Sequence, residues 1–456
     1  MPNVHLIGIG GAGLSAIATV LLQQGYTISG SDMQASAATE RLAGLGARIN
    51  VGHRPENLPN RVDTVVISSA IPADNPELIA AQKRGLAISK RAAWLGQMMQ
   101  GKVGIAIAGS HGKTTTAAMT AWVLQALDQQ PTFIVGGFIP QLGTNAAAGA
   151  GSTFVIEADE YDYTFLGLRP TMAVVTMVEW DHPDIFPTPA SVQQAFVDFV
   201  RLVPAEGLVI GCGDDPGAST VLTRAKAEAV TYGFQTTNAW QAIDLQPNPR
   251  GGYDFAVHYR GETVAQVSLR IPGRHNVLNA LAVLIIAEQQ GLDLADVAKV
   301  LGDFAGVGRR FELKGEVNGI TVVDDYAHHP TEITATLAAA RSRFGDRPVW
   351  AVVQPHTFSR TQALFDAFTT AFDQADRVIV VDIFASREKD EGLVSSRDLA
   401  ARMAHPNASY IGPLPAAGDY LVDHLQPGDV LLTLGAGDGY KIGEWVLERL
   451  GEDRDN

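Results

Sequence analysis

Two glycine-rich turns, each between an apolar stretch and a helical one, most limit how this chain of 456 residues can fold. The first overlaps the end of the apolar residues 4–9 and consists of Gly8-Ile9-Gly10-Gly11-Ala12-Gly13. The second follows the apolar residues 103–108 and consists of Gly109-Ser110-His111-Gly112-Lys113-Thr114-Thr115-Thr116. A strand that passes through a tight turn into a helix is the unit of a parallel sheet covered by helices. The turns therefore predict an α/β protein.

Alternating strand-like and helical stretches divide the chain into three segments. Residues 1–97 resemble a small doubly wound, Rossmann-like domain, and residues 305–456 resemble another. Residues 98–304 have the β-branched strands of a sheet covered on both faces. Within them, residues 253–259 and 263–271 flank a turn and predict an antiparallel hairpin. We expect three α/β domains, the central one of the P-loop ATPase type with a mixed sheet.

Composition excludes several classes of partner. The net charge of -15 favours repulsion of nucleic acid and of anionic lipid, so we expect neither a nucleic-acid partner nor membrane insertion. Cys212 is the only cysteine, which excludes an intrachain disulfide and a zinc site built from cysteines of one chain. The first residues lack the layout of a signal peptide, and we expect a cytoplasmic protein.

The first turn matches the pattern G-x-G-x-x-G, in which backbone N–H groups and a helix N-terminus bind a pyrophosphate. Asp32 lies 19 residues after Gly13, where an acid can bind ribose hydroxyls. By itself this pattern favours NAD or FAD, but it does not determine which diphosphate binds. A tight turn without a ligand is the alternative.

The second turn is a shortened P-loop. Lys113 can reach the outer phosphates of a nucleotide, and Thr114 can bind Mg²⁺. A general P-loop has a glycine six residues before the lysine, where this chain has Ile107, and Gly109 lies only four residues before it. The alternative is a chance Gly-Lys-Thr sequence on a surface turn.

Acidic residues follow a later apolar strand. Glu157 ends that strand, and Asp159, Glu160 and Asp162 lie in the same loop, so four acids share six residues. Such a cluster needs a cation to offset its repulsion, which indicates a metal, although a solvated acidic loop is the alternative. His182 follows another strand, where a histidine is more often structural than a ligand.

Two loops of the third segment carry further candidates. The sequence "DDYAHHPTEI" contains Asp325 and His329, and "QPHTFSRT" contains His356 and Arg360. Both loops follow predicted strands, and ligand crevices of open α/β sheets lie at such strand ends. Arg360 can bind a carboxylate with two parallel hydrogen bonds, whereas helix capping is the alternative for the histidines.

Taken together, these motifs resemble the Mur ligases, three-domain ATP-dependent enzymes that form amide bonds in bacterial cell-wall synthesis. The resemblance covers essentially the whole chain. It rests on "GIGGAG", "GSHGKTTT", "EADEYD", "DH", "PGRHNVLNA", "RRFE", "DDYAHHPTE", "QPHTFSRT" and "GAGDGYKIG", in the family's order.

The resemblance implies a role for each domain. The first domain would bind a UDP-sugar through Gly8, Gly10, Gly11, Ala12, Gly13, Asp32 and Ser69. ATP would be bound by Gly109, Ser110, His111, Gly112, Lys113, Thr114, Thr115, His275, Asn276, Asn279, Arg310 and Asp325. Mg²⁺ ions would be bound by Thr114, Glu157 and His182, and the amino acid by Tyr326, His329 and Arg360. Lys113, His329 and Arg360 would be the catalytic residues.

The resemblance also implies a reaction. The lactyl carboxylate of UDP-N-acetylmuramate would attack the γ-phosphate of ATP, and the amine of L-alanine would displace phosphate from the resulting acyl phosphate. His329 is the candidate base for the amine. The chain has no lysine between His182 and Lys226, which agrees with the branch of the family that lacks a carbamylated lysine.

Three positions depart from the alanine-adding pattern. Ser110 replaces a threonine but keeps its hydroxyl, and Met177 replaces an asparagine, so one polar contact near the metals is expected to be missing. Tyr161 replaces a serine and, together with "DHPDIF", favours the related branch that attaches a recycled tripeptide. The motifs of the third segment favour alanine.

Two more distant functions remain open at this point. An NAD-dependent oxidoreductase would explain the first turn but not the P-loop, and a non-enzymatic ATP switch would explain only the P-loop. For the ligase we expect domain closure around the substrates and a monomer or a homodimer.

Overall fold

The computed structural model describes residues 2–452, which form two compact units. Of these residues, the first unit contains 2–179, together with Gln193–Gln241 and Ala282–Asp293. The second contains Trp180–Val192, Ala242–Leu281 and residues 294–452. Among the described residues, no helix has both the length and the apolar character needed to cross a membrane.

The first segment is a parallel sheet with helices. Its elements are β1 (Asn3–Ile7), α1 (Ala12–Gln23), β2 (Thr27–Asp32), α2 (Ala37–Gly44), β3 (Arg48–Val51), a 3₁₀ turn (Pro55–Asn57), β4 (Thr64–Ile67), α3 (Pro76–Lys83), β5 (Ala87–Lys90) and α4 (Arg91–Met98). The strand order is β3-β2-β1-β4-β5, and every pairing is parallel. The order reverses between β1 and β4, and such a switch point opens a crevice at the carboxyl ends of the strands.

The middle segment has a mixed sheet. Its elements are β6 (Val103–Ala108), α5 (Lys113–Ala126), β7 (Thr132–Ile139), a 3₁₀ turn (Pro140–Leu142), β8 (Thr144–Ala147), β9 (Thr153–Glu157), a 3₁₀ stretch (Tyr161–Gly167), β10 (Met172–Val175), α6 (Pro189–Val200), β11 (Leu208–Cys212), α7 (Pro216–Leu222), β12 (Glu228–Gly233), β13 (Trp240–Pro247), β14 (Tyr253–Tyr259), β15 (Glu262–Ser268), α8 (Arg274–Gln289) and α9 (Leu294–Asp303).

In the first unit this sheet has the order β12-β11-β10-β6-β9-β7-β8. Only β7 and β8 pair antiparallel there, and β10 and β11 are buried along their whole length, as strands covered on both faces are. In the second unit, β14 and β15 pair antiparallel, which confirms the predicted hairpin. The switch point lies at β6, between β9 and β10.

The third segment forms a six-stranded sheet in the second unit. Its elements are β16 (Glu312–Val317), β17 (Ile320–Asp325), α10 (Pro330–Phe344), β18 (Val349–Val353), α11 (Phe358–Ala363), α12 (Phe365–Thr369), β19 (Arg377–Val381), α13 (Ser396–Arg402), β20 (Ala408–Gly412), α14 (Leu414–His424), β21 (Val430–Leu434) and α15 (Tyr440–Glu452). The strand order is β16-β17-β21-β18-β19-β20, with only β16 and β17 antiparallel.

Alternating side chains of this sheet enter two cores. Val323 and Val353 pack into one core with α10, whereas Val322 and Val352 pack into the other with α14 and α15. Each of the three segments thus has its own helix-covered sheet, and the predicted α/β class with a mixed central sheet is confirmed. The boundaries at residues 97/98 and 304/305 stay predictions.

Candidate active site

A cavity of about 880 Å³ lies at the switch point of the first sheet. It is lined by Gly8, Gly10 and Gly11 of the first turn, by Asp32 at the end of β2, and by residues that follow β3 and β4. The volume lies in the range of small-ligand and cofactor sites. The sequence-predicted site of the first domain therefore coincides with a cavity.

The first turn leaves little room for side chains. Gly10 donates its backbone N–H to Asp32 Oδ2 over 2.8 Å, and a Cβ at Gly10 would lie 2.9 Å from that oxygen. Gly8 has a φ of +85°, a conformation that disfavours other residues. The turn thus keeps its backbone close to the Asp32 carboxylate.

Three predicted residues of this site lie outside the cavity lining. Ala12 begins α1, and Gly13 lies against the guanidinium of Arg91, which a Cβ there would meet. Ser69 is exposed in the turn after β4, between Ser68 and Ala70, which do line the cavity. Their assignment to the sugar nucleotide stays a prediction.

The P-loop joins β6 to α5. Gly109 has a φ of +139° and lies against Thr176 and Met177, and Gly112 precedes α5 with a φ of +84°. The Ser110 hydroxyl donates to Glu179 O over 2.8 Å and accepts from Glu179 N over 2.9 Å. The hydroxyl of Ser110 therefore makes two hydrogen bonds that the hydroxyl of a threonine could also make.

The remaining loop residues are those that the sequence predicts to bind phosphate. His111 Nε2 lies 3.0 Å from Glu179 Oε2, and Thr115 is buried in the first turn of α5. Lys113 Nζ lies 2.9 Å from Glu160 Oε1 and donates to Gly109 O over 2.5 Å. Burial opposes the charge of Lys113, but the carboxylates of Glu160 and Asp159 outweigh it and raise its pKa. The ammonium is therefore held over the loop in its charged form.

Two predicted metal ligands of the first unit are in contact. The Thr114 hydroxyl donates to Glu157 Oε1 over 2.8 Å, while Glu157 Oε2 accepts from Gly136 N over 2.6 Å. A hydroxyl and a carboxylate are hard oxygen donors of the kind that Mg²⁺ prefers. The residues present therefore fit a magnesium ion beside the P-loop.

The third predicted metal ligand belongs to a cluster in the second unit. Arg360, 3% exposed, donates from Nε to Asp181 Oδ1 over 2.7 Å and from Nη1 to His356 O over 2.8 Å. Its Nη2 lies 3.2 Å from His182 Nδ1. Burial opposes the charge of Asp181, but Arg360 outweighs it and holds the pKa of that carboxyl well below its usual range. The guanidinium thus already binds a protein carboxylate.

Two histidines beside Arg360 are uncharged at neutral pH. Burial, followed by the charge of Arg360, lowers the pKa of His328 to about 3 and that of His356 to about 4. Their rings lie 5.8 Å apart. The cluster therefore offers neutral imidazoles next to one buried cation.

His329, the predicted base, caps α10. Its Nδ1 accepts from Thr331 N over 3.3 Å, and its Nε2 lies 3.3 Å from Trp180 O. Because Nδ1 acts as an acceptor, Nε2 carries the proton. The ring can take up a proton only when the bond to the Thr331 amide opens.

The other predicted residues of the third segment surround Tyr326. Its ring lies 4.9 Å from the guanidinium carbon of Arg310 and 5.0 Å from that of Arg309. Burial raises the pKa of Asp325 to about 6 against the charge of Arg310, although the carboxylate accepts from Phe311 N and Ala327 N. The structure thus brings Asp325, Tyr326 and Arg310 together.

The predicted adenosine-binding residues share the start of α8. Asn276 donates to Pro272 O over 2.6 Å, and Asn279 donates to Asn276 Oδ1 over 3.0 Å. Burial lowers the pKa of His275 to about 4, so this ring is also neutral at pH 7. The side chains of Asn276 and Asn279 are thus preorganised by these two bonds.

Sequence reasoning missed several residues of these sites. His53 and Asn75 line the first cavity, and Glu160 binds Lys113. His53 follows the end of β3, so the rule that ligand crevices lie at carboxyl ends of strands could have indicated it. Nothing in the sequence distinguished Glu160 from its acidic neighbours.

Comparison with known proteins gives three family matches along the chain. Residues 3–103 match the model "Mur ligase family, catalytic domain". Residues 107–287 match "Mur ligase middle domain", and residues 309–437 match "Mur ligase, glutamate ligase domain". The order of the three matches is that of the three sheets.

Curated relatives and solved structures match over the full length. The UDP-N-acetylmuramate–L-alanine ligase of Geotalea uraniireducens is 43% identical over 99% of this chain and 98% of its own. The enzyme of that name from Desulforamulus reducens is 44% identical, with the same coverage. A solved UDP-N-acetylmuramate–alanine ligase from Thermotoga maritima superposes with a TM-score of 0.82 at 28% identity, covering 99% of this chain and all of its own. A murein peptide ligase from Psychrobacter arcticus gives a TM-score of 0.72 at 26% identity, covering 99% of both chains.

The family models, the full-length identity and the shared fold agree with the phosphate loops and the cavity described above: this chain belongs to the Mur ligase family.

Proposed function

We propose that this Mur ligase joins L-alanine to the lactyl carboxylate of UDP-N-acetylmuramate with ATP as the energy source, a step of peptidoglycan synthesis. The observation that carries this assignment is the full-length identity of 43% and 44% to enzymes named for that reaction. The P-loop and the first cavity supply sites for the two nucleotides that the reaction requires.

The three segments divide the work. The first cavity binds the UDP moiety, with the backbone of the first turn at the diphosphate and Asp32 at the ribose. The P-loop binds the triphosphate of ATP, and the side chains around α8 and Arg310 bind its adenosine. Tyr326, His329 and Arg360 lie where the amino acid is bound.

The chemistry needs an activated carboxyl group. The lactyl carboxylate attacks the γ-phosphorus of ATP, so a carbon-oxygen-phosphorus link forms and ADP leaves. Both reactants are anionic, and Lys113 offsets their repulsion from its position over the loop. The amine of L-alanine then attacks the acyl carbon, and inorganic phosphate leaves with the bonding electrons.

Mg²⁺ belongs to the same proposal. Thr114 and Glu157 would hold one ion, and His182 would contribute to a second. When bound, magnesium supplies positive charge that offsets the phosphate charges. Glu157 would determine the position of the ion, because its carboxylate is held in place by the Gly136 amide.

At the amine end, a proton must leave the ammonium group before attack. His329 accepts it at Nδ1 after the bond to Thr331 N opens. Arg360 supplies positive charge for the amino-acid carboxylate while it keeps Asp181 and His356 in place.

Phosphate release tests the reaction. The protein is incubated with ATP, Mg²⁺ and UDP-N-acetylmuramate, and the product is identified by mass spectrometry after addition of L-alanine. We expect phosphate release that requires both the sugar nucleotide and L-alanine. Phosphate release when one of the two substrates is left out, or no release when both are present, would contradict the proposal.

Attachment of a tripeptide is the second candidate. It is favoured by Tyr161 and by the likeness to solved murein peptide ligases, one of which is 31% identical to this chain over 68% of it. The same assay with L-alanyl-γ-D-glutamyl-meso-diaminopimelate separates the two reactions. Turnover with the tripeptide but not with L-alanine would show that the tripeptide is the substrate.

Location and assembly complete the proposal. Since its substrates are nucleotides of cell interiors, we place the enzyme in the cytoplasm. A monomer or a homodimer is expected, and light scattering behind a sizing column measures which one forms.

A further inference from the structure

Arg309 links three segments of the second unit. Its Nε donates to Asp324 Oδ2 over 3.0 Å, its Nη1 to Gly437 O over 3.1 Å and its Nη2 to Gly435 O over 2.8 Å. Asp324 lies in β17, the two glycines follow β21, and Arg309 precedes β16. These three strands are consecutive neighbours in the six-stranded sheet. One guanidinium group therefore connects the ends of three adjacent strands.

The glycine-rich turn after β21 has no role in the proposed reaction. It begins the sequence "GAGDGYKIG", and both Gly435 and Gly437 are buried. A Cβ at Gly437 would lie 2.6 Å from the ring of Phe384, so the turn packs too closely for another side chain at that position. Buried carbonyl groups need hydrogen-bond donors. Arg309 supplies the donors for two of them, which gives this turn a partner.

Aromatic rings pack against the same guanidinium. Its carbon lies 4.6 Å from the centre of the Tyr440 ring and 5.0 Å from that of the Tyr326 ring, as in cation–π pairs. Tyr326 N also donates to Arg309 O over 2.7 Å. Arg309 therefore holds Tyr326 both at its backbone and at its ring.

The backbone of Arg309 has an unusual conformation. Its φ is +60°, in the left-handed region that disfavours residues with a side chain. Successive side chains of an extended chain point to opposite sides, whereas Arg309 and Arg310 both reach the Tyr326 ring. Arg309 N donates to Glu312 Oε2 over 2.7 Å. Bonds at its N–H, its C=O and its side chain thus hold Arg309 in a strained turn, and such strain is typical of functional sites.

We propose that Arg309 is a positioning residue of the amino-acid site, which fixes the ring of Tyr326 without contacting the substrate. Its nitrogens are bound to Asp324 and to two backbone carbonyls, and its carbon lies over two rings, so the group is a support for Tyr326. A binding group held in one orientation by its neighbours gives the ligand a preformed pocket. This role rests on the proposed function, which places the amino acid at Tyr326.

Steady-state kinetics of the wild type and of Arg309→Met test this role, with phosphate release as the readout. Methionine keeps an unbranched side chain but removes the charge and the donors. We expect the KM for L-alanine to rise at least about tenfold, while kcat and the KM for UDP-N-acetylmuramate change less than about threefold. Arg309→Lys keeps a charge for Asp324 but cannot donate to both carbonyls in the same geometry, so it should rescue part of the affinity.

A double-mutant cycle distinguishes positioning from direct contact. If Arg309 acts through the ring of Tyr326, its removal has no further effect once that ring is absent. We therefore expect the KM for L-alanine of the double variant Arg309→Met, Tyr326→Ala to lie within about twofold of that of Tyr326→Ala alone. Effects that multiply would mean that Arg309 contacts the substrate itself, and would overturn the proposal.

Thr433→Val is the matched control. Thr433 Oγ1 donates to Asp324 Oδ1 over 2.8 Å, and within residues 2–452 it makes no hydrogen bond to Arg309 or Tyr326. T433V should lower the melting temperature and leave the KM for L-alanine unchanged. If T433V raises this KM as much as R309M does, general loss of stability explains the effect and Arg309 has no positioning role. R309K carries the same comparison if R309M does not fold.

Failure of this inference is distinguishable from failure of the proposed function. A wild type that turns over L-alanine, with an unchanged KM in R309M, overturns the role of Arg309 and leaves the ligase function intact. A wild type that turns over only the tripeptide overturns alanine as the substrate, and an unchanged KM for the tripeptide in R309M then overturns the role of Arg309. A wild type that turns over neither amine overturns the proposed function and the role that rests on it.

Discussion

Lys113 and Glu160 show how one residue pair can prepare a phosphate site. The 2.9 Å contact keeps the ammonium charged and close to Gly109 O, over the loop that we propose binds phosphate. A bound triphosphate offers stronger partners than Glu160 because it carries more charge. Lys113 therefore has its charge in place before the nucleotide arrives.

Replacement of Lys113 by alanine should abolish catalysis without preventing UDP from binding in the first cavity. We expect Lys113→Ala to reduce ADP formation at least about a thousandfold, because the charge that offsets phosphate repulsion is lost. Affinity for UDP should change less than about twofold, since the first cavity contains no P-loop residue. A coupled ADP assay and calorimetry measure the two effects.

Lys102→Ala is the control for that variant. Lys102 donates to Gly151 O over 2.9 Å just before β6 and lies outside the P-loop. Normal turnover of K102A is expected. A K113A protein that fails to bind UDP would show that the two sites are not independent.

The buried carboxylate of Glu77 accepts hydrogen bonds from His5, Ser31 and Asn57. It makes the free energy of unfolding depend on pH in the acid range. Its folded pKa of about 2 lies below the ordinary value of 4.5, so its stabilisation is complete above about pH 4.5 and is lost as the pH falls toward 2. Glu77→Gln should cost about 2 kcal/mol of unfolding free energy at pH 7, because charge-assisted bonds are weakened. It should also remove this acid dependence.

Urea unfolding at pH 7 and pH 3.5 measures both effects. The exposed Glu56→Gln serves as the control, since that side chain makes no bond in the buried network. An E77Q protein with the same loss of stability between the two pH values as the wild type would contradict the linkage.

At the scale of elements, the strands around β6 position the proposed magnesium ligands. Gly136 lies in β7 and Glu157 at the end of β9, and a Cβ at Gly136 would lie 2.6 Å from Glu157 Oε2. The absence of a side chain in one strand therefore determines where the carboxylate of its neighbour lies.

Gly136→Ala should displace Glu157 from Thr114 and weaken magnesium binding. We expect the Mg²⁺ concentration for half-maximal activity to rise about tenfold, a usual cost of disturbing a group that orients a ligand. Gly44→Ala is the control, because nothing lies within 4 Å of that Cβ position in α2. Magnesium titration of phosphate release measures the change. A curve that superposes on the wild type would contradict the role of Gly136.

The elements that sequence alone could predict are the local ones. Both glycine turns were predictable because their strand, turn and helix are contiguous, and the hairpin of β14 and β15 because its turn is short. The partner of Arg360 was not, since Asp181 is 179 residues away and only the folded second unit brings them together. The bond between Thr114 and Glu157 likewise depends on the pairing of β6 with β9.

At the scale of the molecule, the second unit should be the more sensitive to mild acid. His275, His328 and His356 belong to it, with pKa values of about 4, 3 and 4 against an ordinary 6.5. Each contributes stability that is complete above about pH 6.5 and is lost as the pH falls from there to the pKa of that histidine in the folded protein. Asp325, with its pKa of about 6, acts in the opposite sense but is outnumbered.

Hydrogen exchange at pH 7 and pH 5, corrected for intrinsic rates, measures this difference. We expect peptides of the six-stranded sheet to lose more protection than those of the first sheet, where Glu77 keeps its bonds until about pH 4.5. His356→Asn should reduce the loss. Equal loss in both sheets would contradict the assignment to the histidines.

The ion pair of Asp181 and Arg360 also has a consequence for folding during synthesis of the chain. At a synthesis rate of about 5 to 20 residues per second, the arginine leaves the ribosome roughly 10 to 40 s after the aspartate, 179 residues earlier in the chain. During that interval Asp181 has no arginine to neutralise it and must stay hydrated. The segment Trp180–Val192 belongs to the second unit. It therefore cannot pack into the core of that unit until the later part of the second unit has been synthesised.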